Sequence, residues 1–309
     1  MSYKVFIDGQ EGTTGLQIFD RLNARPDITI LPISQELRKE PQERRRLMME
    51  ADVVFFCLPD AAAVESAALA EGSDAIVIDA STAHRVNPDW AYGFPELSAA
   101  HRAKIATGKR IANPGCHATG FISLACPLVQ AGILDENALL SSHSITGYSG
   151  GGKSMIRDYE SEERDGALDS PRQYALTLKH KHLPEMAKIS GLNTPPVFNP
   201  IVADFYKGMA VSLPLHKAQL KKPMTKAELL AFYQDFYKDS TFITVSEEPA
   251  GMIAANELAG TNRLHIYVCG NDETFTLVSV FDNLGKGASG AAVQNMNIAL
   301  GLPEDTYLV

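Results

Sequence analysis

Long apolar runs are missing from this chain. No uninterrupted stretch approaches the roughly 20 residues of a membrane-spanning helix, so a helical membrane protein is excluded as a class. An excess of positive charge is missing too. Twenty-eight Lys and Arg stand against 37 Asp and Glu, for a net charge of −9. A broad nucleic-acid surface needs clustered Lys and Arg, so the expected partners are small molecules, with neither nucleic acid nor membrane among them. Cysteine is sparse. Cys57, Cys116, Cys126 and Cys269 match no zinc-site spacing and no CxxC redox pair, so no metal is expected. Internal repeats and low-complexity linkers are absent as well. The opening MSYKVFID enters a strand-like run without a charged and then apolar leader, which reads as a cytoplasmic protein with free thiols.

What is present is an ordinary globular composition. The chain has 309 residues, 45% of them hydrophobic and 21% charged, enough for one large domain or two ordinary ones. Apolar strand-like runs at Lys4–Asp8, Ile28–Ile33, Val53–Leu58 and Ala75–Asp79 alternate with helical patterns at Thr14–Asn23, Pro41–Ala51 and Ala61–Glu71. Such alternation predicts a parallel sheet covered on both faces, a doubly wound α/β fold with its ligand site at the carboxyl ends of the strands. Ile105–Ala112 contains a further strand.

The pattern changes after Cys116. A helix is expected over Ala118–Val129, disturbed near its end by Pro127. Strand-like runs then follow at Leu140–Thr146, Val197–Val202, Met209–Leu215, Leu264–Cys269 and Thr274–Val280, with one helix at Lys226–Tyr237. This predicts an α+β domain with a mixed or largely antiparallel sheet that offers a face for self-association as a homodimer or homotetramer. Gly287–Leu300 is helical again and returns to the first domain. The expected division is 1–115 with 288–309, and 116–287.

Two turns carry chemistry. Asp8-Gly9-Gln10-Glu11-Gly12-Thr13-Thr14-Gly15 lies between a strand and a helix. Its glycines allow a tight turn, and the helix N-terminus presents N–H groups to a pyrophosphate. The second strand ends without the acid that would accept the ribose hydroxyl of NAD. It is followed instead by Ser34 and Arg38, with no acid until Glu36, which suits the 2′-phosphate of NADP. The second turn is Asn113-Pro114-Gly115-Cys116-His117-Ala118-Thr119. A cysteine at a helix N-terminus sits at the positive end of the dipole, which favours a thiolate nucleophile. Cys57, Cys126 and Cys269 have apolar surroundings and read as structural thiols. His180 and His182 precede Pro184 and Glu185. A strand would put both rings on one face, and the pair could serve as an acid/base or, with further ligands, as a metal site. His117 ranks below them, because neighbours on a helix do not face each other.

The Asn-Pro-Gly-Cys-His-Ala-Thr run resembles the catalytic motif of the N-acetyl-γ-glutamyl-phosphate reductases, which belong with the aspartate-semialdehyde dehydrogenases in one superfamily. The chain also resembles them at Gly9–Gly15, Phe56-Cys57-Leu58-Pro59, Asp79-Ala80-Ser81, Gly147-Tyr148-Ser149-Gly150, His180-Lys181-His182-Leu183-Pro184-Glu185 and Asn283-Leu284-Gly285-Lys286-Gly287-Ala288-Ser289-Gly290. Its length is that of the family's shorter form. The resemblance implies a Rossmann-type NADP domain and reduction of an acyl phosphate to an aldehyde through a Cys116 thioester, with release of inorganic phosphate, in arginine biosynthesis. It implies that His180 or His182, with His182 preferred, is the acid/base partner of Cys116 and that Glu185 orients the pair. Substrate contacts are expected from Asn113, Ser149, Gly150, Lys153 and Arg157, with Arg85, Lys179 and Lys181 as further candidates. Cofactor contacts are expected from Gly9, Gly12, Thr13, Thr14, Gly15, Ser34, Arg38, Leu58, Pro59, Ser81, Asn283, Lys286 and Gly287. A reductase of another acyl phosphate, a non-catalytic NADP-binding sensor and a nucleotide-independent cysteine acyltransferase or hydrolase are the alternatives.

Overall fold

A computed structural model describes residues 2–308. The chain divides into two compact units. One runs to Pro114 and resumes at Ala288; the other spans Gly115–Gly287.

The first unit begins with β1 (Tyr3–Asp8), α1 (Thr13–Asn23), β2 (Ile28–Ile30), α2 (Pro41–Glu50), β3 (Val53–Phe56), α3 (Asp60–Leu69) and β4 (Ile76–Asp79). It continues with β5 (Ala91–Tyr92), α4 (Ala99–Thr107) and β6 (Arg110–Ala112). Its six strands lie in the order β2-β1-β3-β4-β6-β5 and all pair in parallel. The Val53–Phe56 strand is buried throughout, as a sheet covered on both faces requires. The chain steps outward from β1 to β2 and then crosses back to β3. The switch point therefore lies between β1 and β3, with the glycine turn and Leu58-Pro59 at its carboxyl edge.

One strand of this sheet is shorter than the sequence reading has it. The second strand stops at Ile30 rather than Ile33, because Pro32 lacks the N–H a ladder needs. The strand expected within Ile105–Ala112 is Arg110–Ala112, while Ile105 itself belongs to α4. Ser98 caps that helix by accepting the His101 N–H, and only Arg110–Ala112 pairs with β4.

The second unit opens with α5 (Cys116–Gln130), β7 (Ser141–Gly147), α6 (Gly152–Glu160), β8 (Arg172–Gln173) and α7 (Leu183–Ser190). It continues with β9 (Val197–Ala203), β10 (Met209–His216), α8 (Lys226–Phe236), β11 (Ile243–Glu247), β12 (Leu264–Gly270) and β13 (Thr274–Phe281). The last helix, α9 (Gly290–Ala299), belongs to the first unit. The seven-stranded sheet runs β11-β12-β13-β10-β7-β9-β8. It is mixed, with β11/β12 and β7/β9 parallel and the other pairs antiparallel. Helices α6 and α7 interrupt the strands where the sequence reading had none. Pro184 in the first turn of α7 and the left-handed Gly191 after it are its start and stop signals.

Pro127 does not break α5, which runs through it to Gln130. A proline there withdraws the N–H that would serve the carbonyl of Ser123. The Tyr237 hydroxyl donates to that carbonyl instead, at 2.8 Å, and the Tyr233 hydroxyl serves Leu124. The lost backbone bond is replaced from α8. Close packing also needs Gly120, where a Cβ would stand 2.3 Å from Val211 Cγ2. Helix α5 is thereby held flat against β10.

Candidate active site

In the first unit, the glycines of the turn differ in what they do. Gly9 has φ +90, and a Cβ would lie 2.4 Å from the Cys57 carbonyl oxygen. At Gly15 a Cβ would lie 2.5 Å from the Gly9 oxygen. Both positions are fixed by packing. Gly12 is the N-cap of α1 with φ −70 and no side-chain cap, and a Cβ there would come no closer than 3.5 Å to the unit's own atoms. The unit does not require glycine at 12, whereas a pyrophosphate approaching the N–H groups of Thr13, Thr14 and Gly15 does. The residues present therefore fit a dinucleotide. Gly9→Ala should cost about 2–4 kcal/mol of stability. Gly12→Ala should leave melting nearly unchanged but weaken nucleotide binding about tenfold or more. Thermal melts and nucleotide titrations of the two variants check the contrast.

Ser81, at the end of β4, donates its hydroxyl to Asp79 Oδ2 at 2.7 Å and its N–H to Oδ1 at 2.8 Å. His84 Nδ1 lies 2.6 Å from the same carboxylate, and its ring stacks on Trp90 at 4.1 Å. Arg38 pairs with Glu11, while Ser34 lies in the turn before it. Asn113, expected at the substrate, is buried. Its amide donates to the Ala288 carbonyl at 3.0 Å, and its oxygen accepts from Asn295 at 3.1 Å. It ties α9 to the end of β6. Arg85 is buried as well and donates to the carbonyls of Asn113 and Ala80.

In the second unit, Cys116 is the first residue of α5, with Gly115 as the N-cap. It is partly exposed. The other thiols are held protonated. Burial, with Asp79 and Asp8, pushes Cys57 far up; burial pushes Cys126 up to about 12 and raises Cys269. Glu185 is 2% exposed, and its Oε1 accepts the Gly115 N–H at 2.9 Å. The third residue of α7 thus caps α5 and locks the two helix starts together. Gly287 completes the surroundings, since a Cβ there would stand 3.0 Å from Cys116 Cβ.

His180 and His182 are brought together, but not by a strand. They sit in the turn before α7, and His182 is its N-cap. The His182 N–H donates to His180 Nδ1 at 3.1 Å, so a neutral His180 carries its proton on Nε2. Their rings stand 4.7 Å apart, edge to face. The turn is reached through left-handed Ala175 and Leu178. Among the described residues no group of three or more His, Cys, Asp or Glu is placed to hold a metal ion.

The sequence reading ranked His117 below the pair and missed two further members of this cluster, Ser144 and Tyr174. The ring of His117 lies 5.3 Å from that of His180 and 5.7 Å from that of His182. Its Nδ1 is 2.7 Å from Ser144 Oγ, and its Nε2 is 2.6 Å from Tyr174 Oη. Ser144 was legible in principle, because alternation along β7 buries Ser142, Ser144 and Thr146 on one face. Tyr174 follows a two-residue strand that leaves no periodic signal. Burial and the Cys116 thiol raise the Tyr174 pKa, which keeps its hydroxyl protonated beside that thiol.

Burial, with the charges of His180 and Lys181, pulls His117 down to about 3, so it is a neutral linker rather than the base. This has a pH consequence. Unfolded histidine titrates near 6.5. Between there and about 3 the unfolded chain binds a proton that the folded chain refuses. Stability must therefore fall as pH drops through that window, by about 1.4 kcal/mol per unit from this residue, and be fully present above it. Urea unfolding at pH 5.5 and 4.5 should show that slope reduced by about this amount in His117→Asn.

The remaining candidates lie in two loops. Asn283 donates to Ser149 Oγ at 3.0 Å and accepts the Gly208 N–H at 2.8 Å. It fastens the turn that holds Ser149 and Gly150. Lys286 is 2% exposed, with its ammonium 5.6 Å from the Phe242 ring centroid. Both side chains, expected at the cofactor, have these contacts within their own unit. Lys153 and Arg157 are exposed on α6, Arg157 lying 3.8 Å from Asp158.

Residues 4–105 match the semialdehyde dehydrogenase NAD binding domain, and residues 116–283 match the semialdehyde dehydrogenase dimerisation domain. N-acetyl-gamma-glutamyl-phosphate reductase 2 of Nostoc sp. is 44% identical over 318 residues, covering 99% of both chains. N-acetyl-gamma-glutamyl-phosphate reductase of Chelativorans sp. is 44% identical, covering 97% of this chain and 99% of its own. Among solved structures, aspartate semialdehyde dehydrogenase II of Vibrio cholerae, complexed with ASA, superposes with a TM-score of 0.74 at 15% identity, over 97% of this chain and 99% of that one. The aspartate semialdehyde dehydrogenase of Francisella tularensis gives 0.72 at 15% identity, over 96% of this chain and 99% of that one. At that identity the structures share the fold. The chain belongs to the semialdehyde dehydrogenase family and, within it, to the N-acetyl-gamma-glutamyl-phosphate reductases.

Proposed function

We propose that this chain reduces N-acetyl-γ-glutamyl phosphate to N-acetylglutamate 5-semialdehyde, with release of inorganic phosphate, as a step of arginine biosynthesis. The observation that carries this is the full-length relation to the named reductases at 44% identity, in a chain whose partly exposed cysteine opens a helix beside two histidines. The cofactor, when bound, is NADPH and supplies the hydride.

The chain's own residues do the rest. Cys116 attacks the acyl carbonyl, a C–S bond forms, and the C–O bond to phosphate breaks. After hydride reaches the thioester carbon, the C–S bond breaks, releasing aldehyde and restoring the thiolate. We assign proton exchange at the sulfur and the departing oxygen to His182, with His180 fixing the turn. Glu185 holds that turn to the nucleophile's helix. Ser149 and Gly150 line the turn that receives the substrate, and Lys153 and Arg157 answer its anionic groups. Gly9, Gly12–Gly15, Ser34, Arg38, Leu58, Pro59 and Ser81 hold the dinucleotide.

Self-association is part of the proposal. Helices cover one face of the seven-stranded sheet. On the other, Ile145 and Val197 are 40% and 52% exposed, and that face supports a homo-oligomer. No helix among the described residues is long and apolar enough to cross a membrane, and the enzyme's place is in the cytoplasm. Assaying the purified protein with phosphate and NADP⁺ against N-acetylglutamate semialdehyde and aspartate semialdehyde tests the substrate. Preference for the aspartyl compound would overturn the assignment.

A further inference from the structure

Glu11 is the acidic residue of the glycine turn, and both of its oxygens reach toward the segment after β2. Oε2 pairs with Arg38, and Oε1 accepts from Gln35 Nε2 at 3.0 Å. The two side chains of the ion pair are 54% and 40% exposed. In a doubly wound sheet the dinucleotide crosses the switch point, with its pyrophosphate at the start of α1 and its adenosine ribose beyond β2. Glu11 and Arg38 join those two places.

We propose that Glu11 sets how strongly this enzyme distinguishes NADP from NAD, by holding Arg38 until a 2′-phosphate takes the guanidinium over. This rests on the reading that Arg38 receives the 2′-phosphate. The exposed ion pair is weak, and a phosphate with three acceptor oxygens competes well for a planar fork of donors. Once displaced, the carboxylate remains nearby, tethered by Gln35, and repels the phosphate. A free ribose hydroxyl meets no such repulsion and can donate to a carboxylate. Glu11 therefore weakens binding of the phosphorylated nucleotide while leaving the unphosphorylated one alone or helping it. The discrimination is smaller than Ser34 and Arg38 alone would give.

Calorimetric titration of the full chain with 2′,5′-ADP and with 5′-AMP reads this without turnover. Glu11→Gln keeps an acceptor for Gln35 and removes the charge. It should tighten 2′,5′-ADP about fivefold and leave 5′-AMP within about twofold or slightly weaker. Arg38→Ala should weaken 2′,5′-ADP about tenfold or more and leave 5′-AMP unchanged. If Arg38→Ala behaves so while Glu11→Gln leaves the ratio of the two affinities as it was, Glu11 has no such role and the Arg38 reading stands. If neither variant moves the ratio, both are wrong. Glu11 is exposed in a turn, and matching thermal melts of variant and parent verify that each folds.

Discussion

Cys116→Ser should lower phosphate-dependent oxidation of N-acetylglutamate semialdehyde by about 10⁴-fold or more, with NADP binding within about twofold of the parent. The loss is large because serine offers no anion at neutral pH, whatever the helix dipole contributes. The binding should be spared because the residues proposed to hold the dinucleotide, from Gly9 to Ser81, lie in the unit that ends at Pro114 and resumes at Ala288. The surroundings set this thiol apart from the other three. Cys57, Cys126 and Cys269 are all pushed toward the neutral thiol. Cys116 alone begins a helix, next to a histidine turn. Glu185 accepts the Gly115 N–H at that helix start, at 2.9 Å. Steady-state rates and NADP titrations of the variant measure both halves. Retained turnover would remove the thioester from the mechanism.

The second large effect is on stability. Arg44, 6% exposed, donates Nη2 to Asp8 Oδ2 at 2.8 Å and Nη1 to Glu65 at 3.0 Å. The Ser66 hydroxyl lies 2.9 Å from the same Asp8 oxygen. Burial alone would lower the Arg44 pKa, but the Asp8 and Glu65 contacts raise it overall. Arg44→Met would leave the Asp8 carboxylate buried without its cation, and unfolding should become easier by about 3–5 kcal/mol. Adding Asp8→Asn removes the stranded charge and should recover a large part of the loss. Denaturant titrations of the single and double variants check this. Equal destabilisation in both would mean that Arg44 matters through packing alone. Asp8 immediately precedes Gly9, so this ion pair anchors α2 and α3 to the start of the glycine turn.

That pair marks a limit of sequence reading. Pro41–Ala51 reads as a charged helical face, and nothing in its periodicity shows that one of three consecutive arginines turns inward to meet a residue 36 positions earlier. The parallel sheet was legible because buried strands and covering helices alternate over long stretches. The cysteine turn was legible because local chain geometry decides it. The histidine turn was legible as a motif but not as a shape. A strand would also align His180 and His182, yet Pro184 starts α7 and converts the segment to an N-terminal cap. His117 was set aside because its Cα faces away from that of Cys116, and only the fold brings Ser144, Tyr174 and the histidine pair around its ring. Pro127 misled in the opposite sense, since the hydroxyl that replaces its missing bond comes from a tyrosine 110 positions later.

The central claim is that the acyl group passes through Cys116. It can be caught by mixing the enzyme with N-acetylglutamate semialdehyde and NADP⁺ in the absence of phosphate, then following NADPH and digesting the protein for mass spectrometry. The account predicts a burst of about one NADPH per chain, which then stops, and an N-acetylglutamyl mass, labile to hydroxylamine, on the peptide carrying Cys116 and on no other. Absence of the burst, or an acyl group on any other residue, would contradict it.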